Sequence, residues 1–177
     1  MAPDQVSEAN SPASDYLVFT DGSGHPDGYG GWAALAIETA TGRKMFRMGG
    51  QSGTSVERME LTALIEGLLM CAELGRLSLA VEAHQVYFRK TVLWRSDRES
   101  LVKTITGEYR RSAEPDLWKR LDVVMARFAI SAEHVSREND FPEFGPVDLH
   151  ASTARIMMKS YTLSADLPAP CLPFDKS

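Results

Sequence analysis

The sequence has little cysteine and no long apolar run. Its 177 residues include two cysteines, Cys71 and Cys171, and no metal-binding spacing links them. None of its apolar stretches approaches the roughly 20 residues with which a helix crosses a bilayer, and the polar first residues lack the pattern of a secretion signal. We therefore expect a cytoplasmic protein without a membrane partner, in a compartment that keeps thiols reduced.

Positive charge is also scarce. The chain has 19 Lys and Arg against 24 Asp and Glu, a net charge of -5 at pH 7. Proteins that bind nucleic acid by neutralising phosphates are usually basic, so this balance argues against a large basic surface. It does not exclude a protein that holds phosphate groups through metal ions, because bound cations reverse the field of a carboxylate cluster.

Length and composition predict one domain between two tails. Residues 1–14 are rich in Ser, Ala, Pro and Asn and predict a flexible leader. Residues 162–177 carry three prolines and no helical pattern, which predicts a C-terminal tail. The domain then spans 15–161. The sequence has no internal repeat, and together with its acidic composition this favours a monomer.

The hydrophobic pattern predicts a mixed α/β order: three strands, a helix, a strand, two helices, a strand and a last helix. The first three strands suggest an antiparallel meander. One helix begins at Pro115, and the last runs from 146 to about 159. The predicted strands span 16–20, 30–38, 43–49, 91–95 and 128–135.

The first helix has the clearest pattern. Thr54 and Glu57 form a capping box at its start, and Gly75 is expected to end it. Ser96 and Glu99 form a second capping box, which opens a helix to about residue 109. Five apolar residues fall on one face of the first helix at a 3.6-residue period: Leu61, Leu64, Ile65, Leu68 and Ala72.

Four carboxylates occupy places where strands end or helices begin. Asp21 ends the first strand, before Gly-Ser-Gly, and Asp97 ends the fourth. Glu60 lies in the first turn or two of the first helix, and Asp148 in the first turn of the last. Taken singly, each has a plain structural explanation: a turn residue, a helix cap, a solvated helix residue or a complement to a helix N-terminus.

Together the four acids indicate a metal centre. Strand ends and the N-termini of the following helices gather on one edge of an α/β sheet. Carboxylates gathered there repel one another unless cations lie between them, and such hard oxygen ligands select Mg²⁺ or Mn²⁺ over zinc. Two ions about 4 Å apart can hold the attacking and leaving oxygens of a phosphodiester in line, so no nucleophilic side chain is needed.

The segments that carry these acids resemble the type 1 ribonuclease H family. The order and approximate spacing agree over residues 16 to about 159. Thr-Asp-Gly-Ser alone would be weak, but its combination with Arg-Met-Glu-Leu and a third acid after a strand is specific. The matching segments are Phe19-Thr-Asp-Gly-Ser23, Arg58-Met-Glu-Leu61, Trp94-Arg-Ser-Asp97, Asp116-Leu-Trp-Lys-Arg-Leu121 and Val147-Asp-Leu-His-Ala151.

This resemblance implies a five-stranded mixed sheet, an antiparallel meander followed by parallel strands, flanked by helices. It implies Mg²⁺-dependent cleavage of the RNA strand of an RNA–DNA hybrid, with Mn²⁺ as a substitute, leaving 3'-hydroxyl and 5'-phosphate ends. Asp21 would bridge both metal ions, and Glu60, Asp97 and Asp148 would complete their ligands. The hybrid would be read through its minor groove and 2'-hydroxyls, largely without regard to base sequence.

The chain departs from the family pattern at its substrate contacts. The loop before the last helix lacks the histidine that members often carry there, and His150 is expected to serve packing or surface. Glu57 or Val56 stands where an asparagine usually contacts RNA, and the basic insertion before residue 115 is short. The candidate substrate-binding residues are Gly22, Ser23, Glu57, Arg110, Arg111, Arg137 and Asn139.

Two alternatives stay open at this point. One is a nuclease of the same fold that acts on another nucleic acid, such as structured DNA or double-stranded RNA. The other is a non-catalytic module of this fold used for protein contact. Retention of all four acids argues against the second, since clustered carboxylates without cations destabilise a fold.

Overall fold

A computed structural model describes residues 14–79, 89–136 and 141–163 of the chain. The predicted leader (1–14) and tail (162–177) lie almost entirely outside these ranges. The elements follow the predicted order: β1 (Tyr16–Gly24), β2 (Tyr29–Glu38), β3 (Lys44–Ser52), α1 (Val56–Leu79), β4 (Lys90–Ser96), α2 (Glu99–Ile105), α3 (Pro115–Met125), β5 (Phe128–His134) and α4 (Phe144–Leu163).

The five strands form one mixed sheet in the order β3-β2-β1-β4-β5. β1, β2 and β3 form an antiparallel meander, whereas β4 runs parallel to β1 and β5 runs parallel to β4. This arrangement confirms the predicted fold class. It also places the carboxyl ends of β1, β4 and β5 at one edge of the sheet, where α/β folds gather functional groups.

β1 is longer than predicted, because its partner β2 stays paired with it beyond Thr20. Asp21 pairs with Ala33 inside the antiparallel ladder, which continues to Gly24. The parallel pairing with β4 covers only Tyr16 to Phe19. The prediction that Asp21 ends the strand is therefore wrong for the hairpin side of β1 and right only for the side that faces β4.

The ends of α1 also differ from the prediction. Ser55 is the N-cap rather than Thr54, since Ser55 Oγ accepts the Arg58 N–H at 3.0 Å. At the other end the helix continues through Gly75 to Leu79. A side chain at Gly75 would press on the Tyr16 hydroxyl, so glycine lets α1 lie close to β1 at this point.

α2 is shorter than predicted. It begins at Glu99 rather than directly after Ser96, and it ends at Ile105 rather than near residue 109. Ser96 does not cap it through a capping box; its hydroxyl accepts the Arg98 N–H at 3.1 Å, one residue before the helix. α3 begins at Pro115, as predicted.

Two apolar layers cover the two faces of the sheet. The larger lies between one face and α1, α2 and α3, and contains the buried Trp94 and Trp118. The smaller lies between the other face and α4, around Phe19 and Val147. Burial of both faces fixes the strand register, because a slip of one residue would exchange the two sets of side chains. Within the described ranges, no helix combines the length and the apolar character that spanning a membrane requires.

Candidate metal centre and the neighbouring groove

Three of the four predicted acids converge. One carboxylate oxygen each from Asp21, Glu60 and Asp97 lies within 4.8 Å of the others. Asp21 and Glu60 are nearly fully buried, at 2% and 3% exposure, and Asp97 is half-buried. The three residues come from β1, from α1 and from the turn after β4, so distant parts of the sequence build this cluster.

The strand register explains why Asp21 and Asp97 meet. The last parallel pair between β1 and β4 joins Phe19 to Arg95. Asp21 and Asp97 each follow that pair by two residues, so they stand at the same height along neighbouring strands. Buried residues on both strands, Phe19 among them, hold this register in place.

Glu60 reaches the cluster because α1 crosses β1 at very close range. A Cβ at Gly22 would collide with the backbone nitrogen and Cα of Glu60. The Gly22 N–H donates to the Glu60 carboxylate. Gly22, predicted as a substrate contact, therefore also has a structural role, since only glycine allows this approach.

The electrostatics of Glu60 reflect this crowding. Burial raises the pKa of its carboxyl well above the usual 4.5, and the neighbouring Asp21 and Asp97 raise it further. The Arg98 guanidinium and the Gly22 N–H act in the opposite direction but do not offset the rise. Three acids held this close therefore call for an added positive charge when all are ionised.

The donor set fits a divalent cation. Glu60 Oε2 is buried and has no hydrogen-bond partner among the described residues. A buried carboxylate oxygen left in this way is costly unless a proton or a cation occupies its free side. Three carboxylates with all oxygen donors match the preference of Mg²⁺ and Mn²⁺.

Asp148 does not belong to this group of three. α4 begins at Phe144, two residues earlier than predicted, so Asp148 lies in the second helical turn rather than the first. It is half-buried and follows Val147, which packs in the core under α4. Its role as a fourth ligand stays a prediction.

A groove of about 220 Å³ opens beside Glu60, between the start of α1, α2 and the segment that joins α2 to α3. Arg98 Nη2 lies 2.9 Å from Glu57 Oε1 within this lining. Glu57 therefore makes an ion pair on the groove wall instead of completing the predicted capping box. The side chains that line the groove include Glu57, Glu60, Arg98, Tyr109, Arg110, Arg111 and Trp118.

Arg58, from the Arg-Met-Glu segment, ties the far wall of the groove to α1. It contacts the Glu114 carboxylate at 2.5 Å and the Asp116 carboxylate at 2.7 Å. Ser55 Oγ donates to the same Glu114 at 2.9 Å. Glu114 is the one non-glycine residue with positive φ among those described, at 59°, so its two partners hold it in an uncommon backbone conformation.

The predicted substrate contacts have different surroundings. Arg110 is exposed on the groove wall. Arg111 also lines the groove, but both of its Nη atoms contact the Asp122 carboxylate at 2.7 Å and its guanidinium stacks on Trp118. Ser23 is half-buried in the hairpin. Arg137 and Asn139 lie outside the described residues.

Sequence reasoning passed over Arg98 and Glu114, because their partners lie far away in the chain. Arg98 adjoins a predicted ligand, which is the signal that could have singled it out. Glu114 carries no local signal beyond the following proline. His150 serves packing, as expected: its ring lies against Phe46, with centroids 4.8 Å apart, and its Nδ1 contacts the Pro146 carbonyl.

Comparison with known proteins identifies similar chains over most of the sequence. The family model described as RNase H matches residues 13–154. A ribonuclease H from Thermus thermophilus is 33% identical over 144 residues, covering 80% of this chain and 84% of the relative. A ribonuclease H from Oleidesulfovibrio alaskensis is 34% identical over 128 residues, covering 71% and 80%.

Solved structures share the fold at lower identity. The N-terminal RNase H domain of a Mycobacterium tuberculosis protein superposes with a TM-score of 0.67 at 17% identity, covering 85% of this chain and 99% of that one. LC11-RNase H1, solved in complex with an RNA/DNA hybrid, gives a TM-score of 0.62 at 15% identity, with coverage of 81% and 99%.

Proposed function

Because the chain belongs to the ribonuclease H family and is a hydrolase of that type, we propose that it cleaves the RNA strand of RNA–DNA hybrids with two divalent cations. The products carry 3'-hydroxyl and 5'-phosphate ends. The observation that carries this proposal is the convergence of Asp21, Glu60 and Asp97 around a buried carboxylate oxygen of Glu60. Membership in an enzyme family removes the alternative of a non-catalytic module.

Asp21, Glu60 and Asp97 would hold the cations, with Asp148 as a further ligand. Bound Mg²⁺, or Mn²⁺ in its place, supplies an activated water and neutralises the charge that develops on the leaving oxygen. The side chains do the positioning. β1 and β4 fix the height of the two aspartates, and the Gly22 N–H holds Glu60 toward them.

The burial of the cluster strengthens the interaction of its carboxylates with a bound cation. Asp21 and Glu60 lie in a region that water enters poorly, where charges interact more strongly than in bulk solvent. A cation beside the Glu60 carboxylate would offset the burial and the neighbouring negative charges that raise its pKa. The mutual repulsion of the three carboxylates therefore favours binding of a cation between them.

The hybrid is supported as substrate by LC11-RNase H1, a fold neighbour solved with an RNA/DNA hybrid. The groove beside Glu60 offers Arg98 and Arg110 for the phosphates of a bound strand. With few basic residues around the site, we expect modest affinity and a shallow dependence on salt.

One assay tests the proposal. End-labelled RNA–DNA hybrid, double-stranded RNA and double-stranded DNA are incubated with the protein in Mg²⁺, in Mn²⁺ and in a chelator. We expect cleavage of the hybrid alone, in its RNA strand, with ends that a polymerase extends without phosphatase treatment. Preferential cleavage of double-stranded RNA or DNA would contradict the hybrid as substrate. Cleavage in the chelator would contradict the dependence on metal ions.

A further inference from the structure

Arg98 and Glu57 form an ion pair that links the elements carrying two of the acids. Arg98 directly follows Asp97 and precedes α2, and Glu57 lies in the first turn of α1, one turn before Glu60. Their side chains approach to 2.9 Å and are 38% and 55% exposed. This pair stands on the wall of the groove, beside the acid cluster.

The arginines around this site differ in how firmly they are held. Arg58 contacts two carboxylates, and both Nη atoms of Arg111 contact one carboxylate while its plane stacks on Trp118. Among the described residues, the Arg98 side chain makes one hydrogen bond, from Nη2 to the exposed Glu57 carboxylate, and its charge also acts on the nearby Glu60 carboxyl. An exposed pair of this kind contributes little to stability, so its partner is easily exchanged.

A bound phosphate can engage Arg98 more fully than Glu57 does in this structure, where one nitrogen contacts one oxygen. A guanidinium can bind two phosphate oxygens at once, with stronger hydrogen bonds than a single contact gives. A strand whose scissile phosphate sits at the cluster places neighbouring phosphates within the groove. While the pair is closed, Glu57 occupies the guanidinium that a phosphate would bind, and its negative charge opposes the approach of the phosphate.

We propose that Arg98 exchanges the Glu57 carboxylate for a backbone phosphate of the bound nucleic acid, so that this pair sets substrate affinity. The inference rests on the proposed function for the identity of the strand. Arg98 acts as the binding residue, and Glu57 is the internal competitor that the substrate displaces.

The test compares steady-state cleavage of the hybrid by four variants. Removing the competitor in Glu57→Gln is expected to lower KM about two- to fivefold, with little change in kcat. Arg98→Met is expected to raise KM and to flatten the log–log salt dependence of binding by about one. In the double variant, the lower KM of Glu57→Gln is expected to disappear, because Arg98 is no longer there to bind the phosphate.

Glu99→Gln is the matched control. It removes the same charge at the start of α2 and breaks the pair of Glu99 with Lys103 at 2.7 Å, without touching Arg98. Its KM is expected to stay near that of the parent. The exchange is wrong if Glu99→Gln lowers KM as much as Glu57→Gln does. It is also wrong if Glu57→Gln still lowers KM when Arg98 is replaced, because the change in net charge then explains the effect.

Two further results separate this inference from the proposed function. If the parent cleaves the hybrid and Glu57→Gln changes thermal stability but not KM, the pair is only structural and the inference fails while the function stands. If the parent does not cleave the hybrid, the same variants are measured for binding to double-stranded RNA and DNA. If Glu57→Gln binds one of these duplexes more tightly, and does so only when Arg98 is present, the exchange holds for that other substrate. If Glu57→Gln gains affinity for none of them, both the exchange and the proposed function are wrong.

Discussion

Trp94 on β4 donates a buried hydrogen bond from its indole Nε1 to Thr20 Oγ1 on β1, at 2.8 Å. Both side chains are fully buried, and Thr20 immediately precedes Asp21. The bond therefore joins the two strands at the height of the acid cluster. It links the stability of the core to the spacing of Asp21 and Asp97.

Replacing Thr20 by Val removes the acceptor and leaves the indole N–H buried without a partner. We expect a loss of about 1–3 kcal/mol in the free energy of unfolding, measured by urea denaturation. Thr20→Ser keeps the hydroxyl and is the control for this polar effect. No loss in Thr20→Val, or a larger loss in Thr20→Ser than in Thr20→Val, would show that packing of the methyl group matters more than the hydrogen bond.

Asp21→Asn should abolish metal-dependent cleavage, because it removes a charged oxygen from the centre of the cluster. Without metal, the same change should raise the melting temperature, since it relieves the repulsion of Glu60. Activity is measured on labelled hybrid, and melting in a chelator by calorimetry. Cleavage at the rate of the parent would refute the metal centre.

The raised pKa of Glu60 makes stability depend on pH in the metal-free protein. The folded state holds the Glu60 proton more tightly than the unfolded state, whose carboxyl titrates near 4.5. The free energy of unfolding should therefore fall as the pH rises from about 4.5 through the raised pKa. Other groups also titrate, so the quantity to measure is the difference between the parent and Glu60→Gln across pH in a chelator.

Added Mg²⁺ should reverse that trend for the parent, because the cation binds the ionised carboxylates and competes with the proton. The stabilisation by Mg²⁺ should grow with pH and be much smaller in Glu60→Gln. A Mg²⁺ effect of the same size at every pH and in both proteins would place the ion elsewhere.

Gly22→Ala should disturb both the fold and the site, since its Cβ would meet the backbone of Glu60. We expect a loss of about 1–3 kcal/mol in stability, as for other overpacked sites, together with weaker metal binding. Gly145→Ala is the control: an added Cβ there meets nothing within 4 Å, so it should be tolerated. Urea denaturation and calorimetric titration with Mg²⁺ check both.

Much of the fold and three of the four acids were within reach of the sequence. Strand and helix order follow from hydrophobic periodicity, and the convergence of Asp21, Glu60 and Asp97 follows from the rule that strand ends and the starts of the following helices gather at one edge. The length of β1 was not predictable, because it depends on pairing with β2, whose register is set across the sheet.

Other misses arise where tertiary contacts choose between equivalent local signals. Thr54 and Ser55 are both good N-caps, and Ser55 is the one that also binds Glu114, 59 residues away. Gly75 is a helix stop by local rules, but packing against Tyr16 makes it an interior residue. The Glu57–Arg98 pair spans 41 residues, which no local pattern encodes.

The early departure of β4 from β1 has a consequence for how this molecule tolerates change. After Phe19, β1 stays paired with β2 on one side but has no further ladder pair with β4 on the other, so the hairpin tip and the connection beyond Asp97 follow separate paths. We expect insertions or deletions beyond this ladder to leave the register of Tyr16 to Phe19 with β4 unchanged. Chains of this kind can thus remodel what surrounds the acids without moving the acids themselves.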